Sequence, residues 1–174
     1  KAYTFREPIG PVVAISAFNH PLNLIAHQVG PAVASGCPVL VKPAKDTPLS
    51  CKSFVQILYE AGLNENWCRF VPCSDEVAEK MVTDPRTAFF SFIGSARVGW
   101  MLRSKLAPGT RLALEHGGAA PIIVDDSVAH AKVIPPLLKG GFYHSGQVCV
   151  SVQRVFVPRA ELPDFAAELA AGAE

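Results

Sequence analysis

The chain has 174 residues, with Lys+Arg 16 against Asp+Glu 15 and a formal net charge of +1. That balance provides no basic stripe for a phosphate backbone and makes nucleic acid a poor partner. The length suits one ordinary domain with a core that needs no disulfide staples, and it is too short to contain a whole multi-domain enzyme. Charged residues make up 18%, below the roughly 25% of soluble domains. With a mean hydropathy of +0.25, an unusually large share of the surface is expected to be covered by further chain or a partner subunit.

The segment from Pro8 to Val41 contains no Asp, Glu, Lys or Arg and is long enough to span a bilayer. Pro11, Pro21, Pro31 and Pro38 cut it into strand and helix lengths, and Asn19, His20, Asn23, His27 and Gln28 add polar groups that hydrocarbon does not tolerate. A buried βαβ unit is expected there, and no membrane partner. Lys1-Ala2-Tyr3-Thr4 carries neither an initiator Met nor the apolar run of a signal peptide, so the start reads as internal to a longer, cytoplasmic chain.

In chain order, Val12–Ala17 reads as a buried strand, and Pro21 suits the first position of a helix that reaches Ser35 before Gly36. Pro38–Val41 is the next strand. Thr47-Pro48 reads as an N-cap and first turn, with Phe54, Ile57, Leu58 and Ala61 at helical spacing before Gly62. Arg69–Pro72 is a short strand, Ser74-Asp75-Glu76 opens a helix, and Ala88–Ile93 is a continuous apolar strand. Gly94-Ser95 starts a helix expected to reach Ala107, and a strand from Arg111 ends at Glu115 before the Gly117-Gly118 turn. Beyond it follow a strand at Pro121–Val124, a helix ending near Gly146, a strand at Gln153–Val157 and a final helix.

Continuous apolar strands alternating with amphipathic helices imply a doubly wound parallel α/β sheet with right-handed crossovers, followed by the beginning of a second α/β domain. The expected domains are residues 1–116 and 117–174. The strand ends at Phe18-Asn19, Lys42-Pro43 and Ile93-Gly94-Ser95 would share the carboxyl edge of the sheet, where such folds bind ligands. No G-x-G-x-x-G occurs, but the helix opened by Gly94-Ser95 can offer N–H groups to a pyrophosphate and Lys42 can reach ribose or phosphate oxygens.

Of the five cysteines, Cys37, Cys51, Cys68 and Cys73 read as small buried apolar side chains. Neither a C-x-x-C pair nor metal-spaced histidines occur, so neither a disulfide framework nor a metal site is expected. Cys149 differs, because it follows the turn-like Ser145-Gly146-Gln147.

Four segments, in order, resemble the aldehyde dehydrogenases. They are Phe18-Asn19-His20-Pro21-Leu22-Asn23; Val41-Lys42-Pro43-Ala44 with Thr47-Pro48-Leu49-Ser50; Phe92-Ile93-Gly94-Ser95 with Val98-Gly99; and Leu114-Glu115-His116-Gly117-Gly118 followed by Gly146-Gln147-Val148-Cys149. The resemblance runs nearly end to end and implies a Rossmann-like first domain that binds NAD(P)+ through Ser16, Phe18, Lys42, Lys45, Gly94, Ser95 and Val98. It further implies Cys149 as the nucleophile, Asn19 as an oxyanion donor and Glu115 as the base that activates water against a thioester. The product would be a carboxylic acid, the substrate a small aldehyde, and the complete protein a homo-oligomer, a dimer or tetramer. The 174 residues alone are expected to be inactive.

Phe18 stands where the family commonly has Trp, Ile93 where Thr is common, and Lys45 where NAD-preferring members carry Glu. Lys45 beside Lys42 favours NADP, and a pairing of Lys45 with the adjoining Asp46 would count against that preference. Two alternatives stand beside this reading. A CoA-acylating semialdehyde dehydrogenase typically lacks a Glu at the Glu115 position; a non-catalytic dinucleotide-binding module would have no need of Cys149.

Overall fold

The computed structural model describes residues 2–173, which divide at the His116–Gly117 bond into two compact units. In the first, β1 (Val12–Ile15), β2 (Val39–Lys42), β3 (Cys68–Phe70), β4 (Phe89–Ile93) and β5 (Arg111–Glu115) form one parallel sheet in the order β3-β2-β1-β4-β5. The chain winds outward from β1 to β3 and returns to the other side of β1, so the order reverses at the β1–β4 seam. That arrangement is the Rossmann-like, doubly wound fold.

Period-two alternation decides which helix each strand residue meets. Val12 and Ala14 of β1, with Val39 and Val41 of β2, pack under α1 (Pro21–Ala34) and α2 (Pro48–Glu60) through Ile25, Val29, Cys51 and Val55. Val13 and Ile15, with Phe90 and Phe92, pack on the opposite face under α3 (Asp75–Thr83) and α4 (Ala96–Arg103) through Ala78, Val82 and Leu102. Burial on both faces explains the unbroken apolar runs, each fully buried Val, Ile or Phe contributing roughly 1.5–3 kcal/mol. One polar side chain interrupts α1's buried stripe. The Gln28 Nε2 donates to Ile15 O at 3.2 Å, Ser91 O at 3.1 Å and Ser91 Oγ at 3.0 Å, tying α1 across the β1–β4 seam.

The second unit contains β6 (Ala120–Ile123), parallel to β7 (Val152–Phe156), with α5 (His130–Phe142) and α6 (Leu162–Ala173). Val124, Ile134, Leu137 and Phe165 form its core.

Several boundaries differ from the sequence reading. β1 stops at Ile15, although the Ser16 N–H still donates to Lys42 O at 3.1 Å. Thr47 occupies the N-cap of α2 without making a side-chain cap bond, whereas the Ser74 Oγ accepts from Val77 N at the start of α3. α4 ends at Arg103 rather than Ala107, because the amides of Lys105 and Leu106 turn back to Leu102 O and Arg103 O in a tighter, three-residue pattern. α5 stops at Phe142, and Tyr143–Gly146 is a separate short turn rather than helix.

His130 joins the two helices of the second unit. Its Nε2 lies 3.1 Å from the Glu161 carboxylate, its Nδ1 lies 3.3 Å from that of Glu168, and its ring meets Phe165 edge-on. Hydrogen bonds donated to the Glu161 and Glu168 carboxylates raise the imidazole pKa above its ordinary value. A raised histidine value stabilises the folded state fully below the unfolded value and stops doing so as pH rises through the folded one. Thermal midpoints of the full-length protein measured from about pH 5.5 to 8.5 should therefore decline toward the alkaline end, and His130→Gln should remove part of that decline.

Candidate active site

The carboxyl ends of β1, β2 and β4 frame a cleft of about 220 Å³ on the α3–α4 face, lined by Ile15, Lys42, Asp75, Phe92, Val98 and Leu102. Lys42 is 6% exposed, an unusual state for a cation. Its Nζ lies 3.8 Å from the Asp75 carboxylate, which is itself largely exposed. Lys45 Nζ binds the other Asp75 oxygen at 2.9 Å. Lys45 therefore pairs with Asp75, not with the neighbouring Asp46; the extended backbone at the end of β2 and the start of α3 set this contact, which no local spacing reveals. The Lys45 hydrogen bond holds the Asp75 carboxyl below its ordinary value, and the same bond raises Lys45.

Ser16, immediately beyond β1, is buried, and its Oγ has no hydrogen-bond partner among the described residues. Phe18 is exposed and Asn19 half-buried in the turn that leads to α1. At β4, a Cβ on Gly94 would sit 2.7 Å from the Phe92 ring, so only glycine brings the backbone that close. Ser95 caps α4 with extended backbone and makes no side-chain cap bond, leaving the first-turn N–H groups without that competitor. A buried cation lines the cleft, while an orphaned buried hydroxyl and an uncapped helix start follow the ends of the neighbouring strands β1 and β4. The donors suit an anionic dinucleotide, and the placement brings together Ser16, Lys42, Lys45, Gly94, Ser95 and Val98 on one edge of one sheet.

Glu115 ends β5 on the same edge, its backbone carbonyl accepting from Gly94 N at 3.1 Å. Its side chain is exposed and lines a second cavity, of about 310 Å³, on the α1 face with His27, Gln28, Cys37 and Ser91. Asn19 and Glu115 belong to the first unit and Cys149 to the second.

Cys149 is exposed in a turn between α5 and β7. Before it, His144 (φ 55), Ser145 (φ 57) and Gly146 (φ 72) are consecutive left-handed residues. Two non-glycine residues in that region store strain of order 1–3 kcal/mol each, a state that persists only where surrounding structure enforces it. Ser151, 3% exposed, supplies part of that enforcement. Its N–H donates to Val148 O at 2.9 Å and its Oγ to Gly146 O at 3.0 Å, clamping the turn on both sides of Cys149. A Cβ on Gly118 would lie 3.0 Å from the Cys149 carbonyl oxygen, so the second glycine of the Gly117-Gly118 pair gives the turn room. A cavity of about 490 Å³ adjoins the turn, and Val148 and Val150, the two neighbours of Cys149, both line it.

Sequence reasoning missed Ser151, Gln28 and the pairing role of Asp75. Gln28 carries a legible signal, a polar residue at the apolar spacing of Ile25, Val29 and Ala32. Ser151 carries none, since its partners are backbone atoms.

Residues 1–174 match the aldehyde dehydrogenase family, and the chain belongs to it. It is 37% identical over 164 residues to the mitochondrial succinate-semialdehyde dehydrogenase of Hylobates lar, which covers 91% of this chain and 31% of the relative. Among solved structures, it is similar to the Mycobacterium tuberculosis aldehyde dehydrogenase complexed with NAD+ at a TM-score of 0.91 and 33% identity, covering 95% of this chain and 35% of that one. It is also similar to the glyceraldehyde-3-phosphate dehydrogenase GapN of Methanocaldococcus jannaschii complexed with NADP, at a TM-score of 0.89 and 33% identity, covering 97% and 38%. The chain spans about a third of the length of the curated relatives it matches. Among the described residues, no helix is long and apolar enough to cross a membrane.

The thiols rank by exposure and ionisation. Burial pushes Cys51 up to about 12 and Cys68 up to about 11, and it raises Cys73 as well. At Cys37 burial opposes ionisation, but hydrogen bonds from Ser35 and from the backbone of Ile9 and Gly10 outweigh it and lower the value; the thiol is nevertheless only 3% exposed. Limiting iodoacetamide on the full-length protein should label Cys149 first and Cys37 second. Mass-spectrometric mapping reads the order, and earlier labelling of any buried thiol would remove Cys149 from the nucleophile's role.

Proposed function

We propose that the full-length protein oxidises an aldehyde to a carboxylic acid with NAD(P)+, its first unit holding the dinucleotide and its second carrying the nucleophile. The observation that carries this reading is the Cys149 turn, an exposed thiol on strained backbone clamped by a buried serine. The Cys149 thiolate attacks the aldehyde carbon, forming a C–S bond as the carbonyl electron pair moves onto oxygen. The Asn19 side-chain amide and the Cys149 backbone N–H donate to that oxyanion. Bound NAD(P)+ supplies the acceptor for the hydride, which leaves a thioester on Cys149. Glu115 then takes a proton from water, whose oxygen attacks the thioester carbon; the C–S bond breaks, the acid departs and the thiolate is restored.

Ser16 and Lys42 would hold ribose or phosphate oxygens, the N-terminal turn of α4 at Gly94-Ser95 the pyrophosphate, and Val98 and Phe18 apolar faces of the dinucleotide. Exposed Tyr3, Phe5, Phe142 and Phe156 are apolar surface suited to a homo-oligomer, a dimer or tetramer. Five free thiols suit a reducing compartment such as the cytoplasm.

Because Glu115 acts only after hydride transfer, Glu115→Gln should leave a pre-steady-state burst of NAD(P)H and slow the following steady state by about 10²–10⁴-fold. Stopped-flow absorbance reads both phases. Loss of the burst with aldehyde binding intact would assign Glu115 another role.

Cofactor choice follows from the Lys42–Asp75–Lys45 group. One carboxylate between two cations leaves a net positive charge, which favours the 2′-phosphate of NADP over the bare ribose of NAD. The ratio of kcat/KM for NADP over NAD should be at least one, should rise in Asp75→Asn and should fall in Lys45→Glu. An NAD-selective wild type, or a ratio indifferent to both substitutions, would place the adenosine end elsewhere.

A further inference from the structure

Cys37, two residues ahead of β2, is 3% exposed and belongs to the core cluster that also holds Cys51 and Cys68, but its sulfur is surrounded differently. The N–H groups of two consecutive residues, Ile9 and Gly10, both donate to it. The Ser35 hydroxyl lies 3.5 Å away, its proton divided between this sulfur and Ala32 O at 3.0 Å. Successive amides converging on one atom form an anion-binding nest. Gly10 is left-handed (φ 116), and a Cβ on it would sit 2.9 Å from that of Ala88, so only glycine presents its N–H at this point. A neutral thiol is a weak acceptor and gains little from three donors, whereas a thiolate is stabilised by all of them. Burial opposes ionisation here, and the donors outweigh it.

The sulfur also has space beside it. Cys37 lines the cavity of about 310 Å³ on the α1 face, together with Gln28 and apolar walls at Ile9, Pro31 and Phe89. Gln28 is 6% exposed, and while its Nε2 ties the β1–β4 seam, its Oε1 is buried with no hydrogen-bond partner among the described residues. A buried acceptor left in that state is rare, and an occupant of the cavity that carries a donor would satisfy it. Glu7 and Glu115 line the same cavity, and among the described residues no Lys or Arg does. An anionic occupant is therefore disfavoured.

We propose that Cys37 is a peroxide-reactive modification site, a thiolate held by Ile9, Gly10 and Ser35 that lines a cavity open to a small neutral hydroperoxide. Hydrogen peroxide is uncharged and carries an O–H for the Gln28 Oε1. The Cys37 thiolate attacks one peroxide oxygen, an S–O bond forms and the O–O bond breaks, oxidising the sulfur by two electrons to a sulfenic acid. The transferred oxygen keeps its hydrogen, and the departing hydroxide takes up the proton that the thiol released on ionising, leaving water. The proposal stands whether or not Cys149 is the nucleophile, because Cys37 lies in the first unit and takes no part in the mechanism above.

The test uses the full-length protein carrying Cys149→Ser, so that the exposed thiol does not consume the reagent. Treated with hydrogen peroxide in the presence of dimedone, which traps sulfenic acids, and mapped by mass spectrometry, it should carry the adduct on Cys37 and on neither Cys51 nor Cys68. Adding Ser35→Ala should slow adduct formation by about threefold or more, the worth of one hydrogen bond. Two further readouts need no second substitution. Iodoacetamide alkylation of Cys37 should reach its half-maximal rate at lower pH in the folded protein than in urea, and the preference for iodoacetamide over anionic iodoacetate should be higher in the folded protein than in urea. No adduct at Cys37 in the folded protein under conditions that trap it in urea overturns the site, as does dimedone on Cys73 in place of Cys37. A folded-state alkylation profile lying at higher pH than in urea overturns the thiolate on which the site rests.

Discussion

The first unit is organised around a positive charge that its own fold only half satisfies. Lys42 is nearly out of contact with water, and burial of an ammonium costs several kcal/mol unless a partner repays it. The partner in place is Asp75 at 3.8 Å, exposed to solvent and already bound at 2.9 Å by Lys45. An exposed carboxylate shared in this way contributes little. The remaining stabilisation must come from the position of Lys42 at the open carboxyl edge of the sheet, where the ammonium faces a cleft rather than packed core. Reversal of strand order at the β1–β4 seam creates that opening, because helices diverge to opposite faces there. Gln28 ties the seam together behind the cleft, its amide donating to carbonyls from both strands.

The second unit meets a different demand. An exposed thiol on a loop would ordinarily be free to wander, and the nucleophile proposed here would lose much of the benefit of positioning if it did. Three left-handed residues in succession would relax if released, so the turn is held from outside. Ser151 does this from the following strand, its backbone and hydroxyl reaching two different carbonyls. Gly118 does it by omission, since any larger residue would press on the Cys149 carbonyl.

Much of this was legible in the sequence because burial on both faces writes itself as unbroken apolar runs; β1, β2 and β4 and the helices between them were visible for that reason. The ends of α4 and α5 were not. At Ala107 and Gly146 the composition continues to suit helix, and the chain leaves it through backbone turns at Lys105-Leu106 and at His144-Ser145 that residue type does not announce. Lys45 offered a similar lesson. Its adjacent acid, Asp46, was the local candidate, but side chains on successive residues diverge, and Asp75, 30 residues on, completes the pair. Catalytic candidates were legible as motifs, and Gln28 as a polar residue on an apolar stripe, whereas Ser151 works through backbone carbonyls and leaves no pattern.

The passage from one unit to the other shows how the two demands meet. His116 is anchored to the first unit: its ring meets Phe92 and Trp100 edge-on, and a Cβ at Gly99 would collide with it. Gly118 is anchored to the second through its close approach to the Cys149 carbonyl. Only Gly117 lies between those anchors. Glu115 is therefore set by the parallel pairing of β5 with β4 and by the aromatic packing of the next residue, while Cys149 is set by Ser151 and Gly118. Each group receives its position from a separate core, and a substitution in one core should disturb its own group first. Under the proposed mechanism, in which Glu115 and Cys149 act at different steps, that separation would let each be tuned by packing without displacing the other.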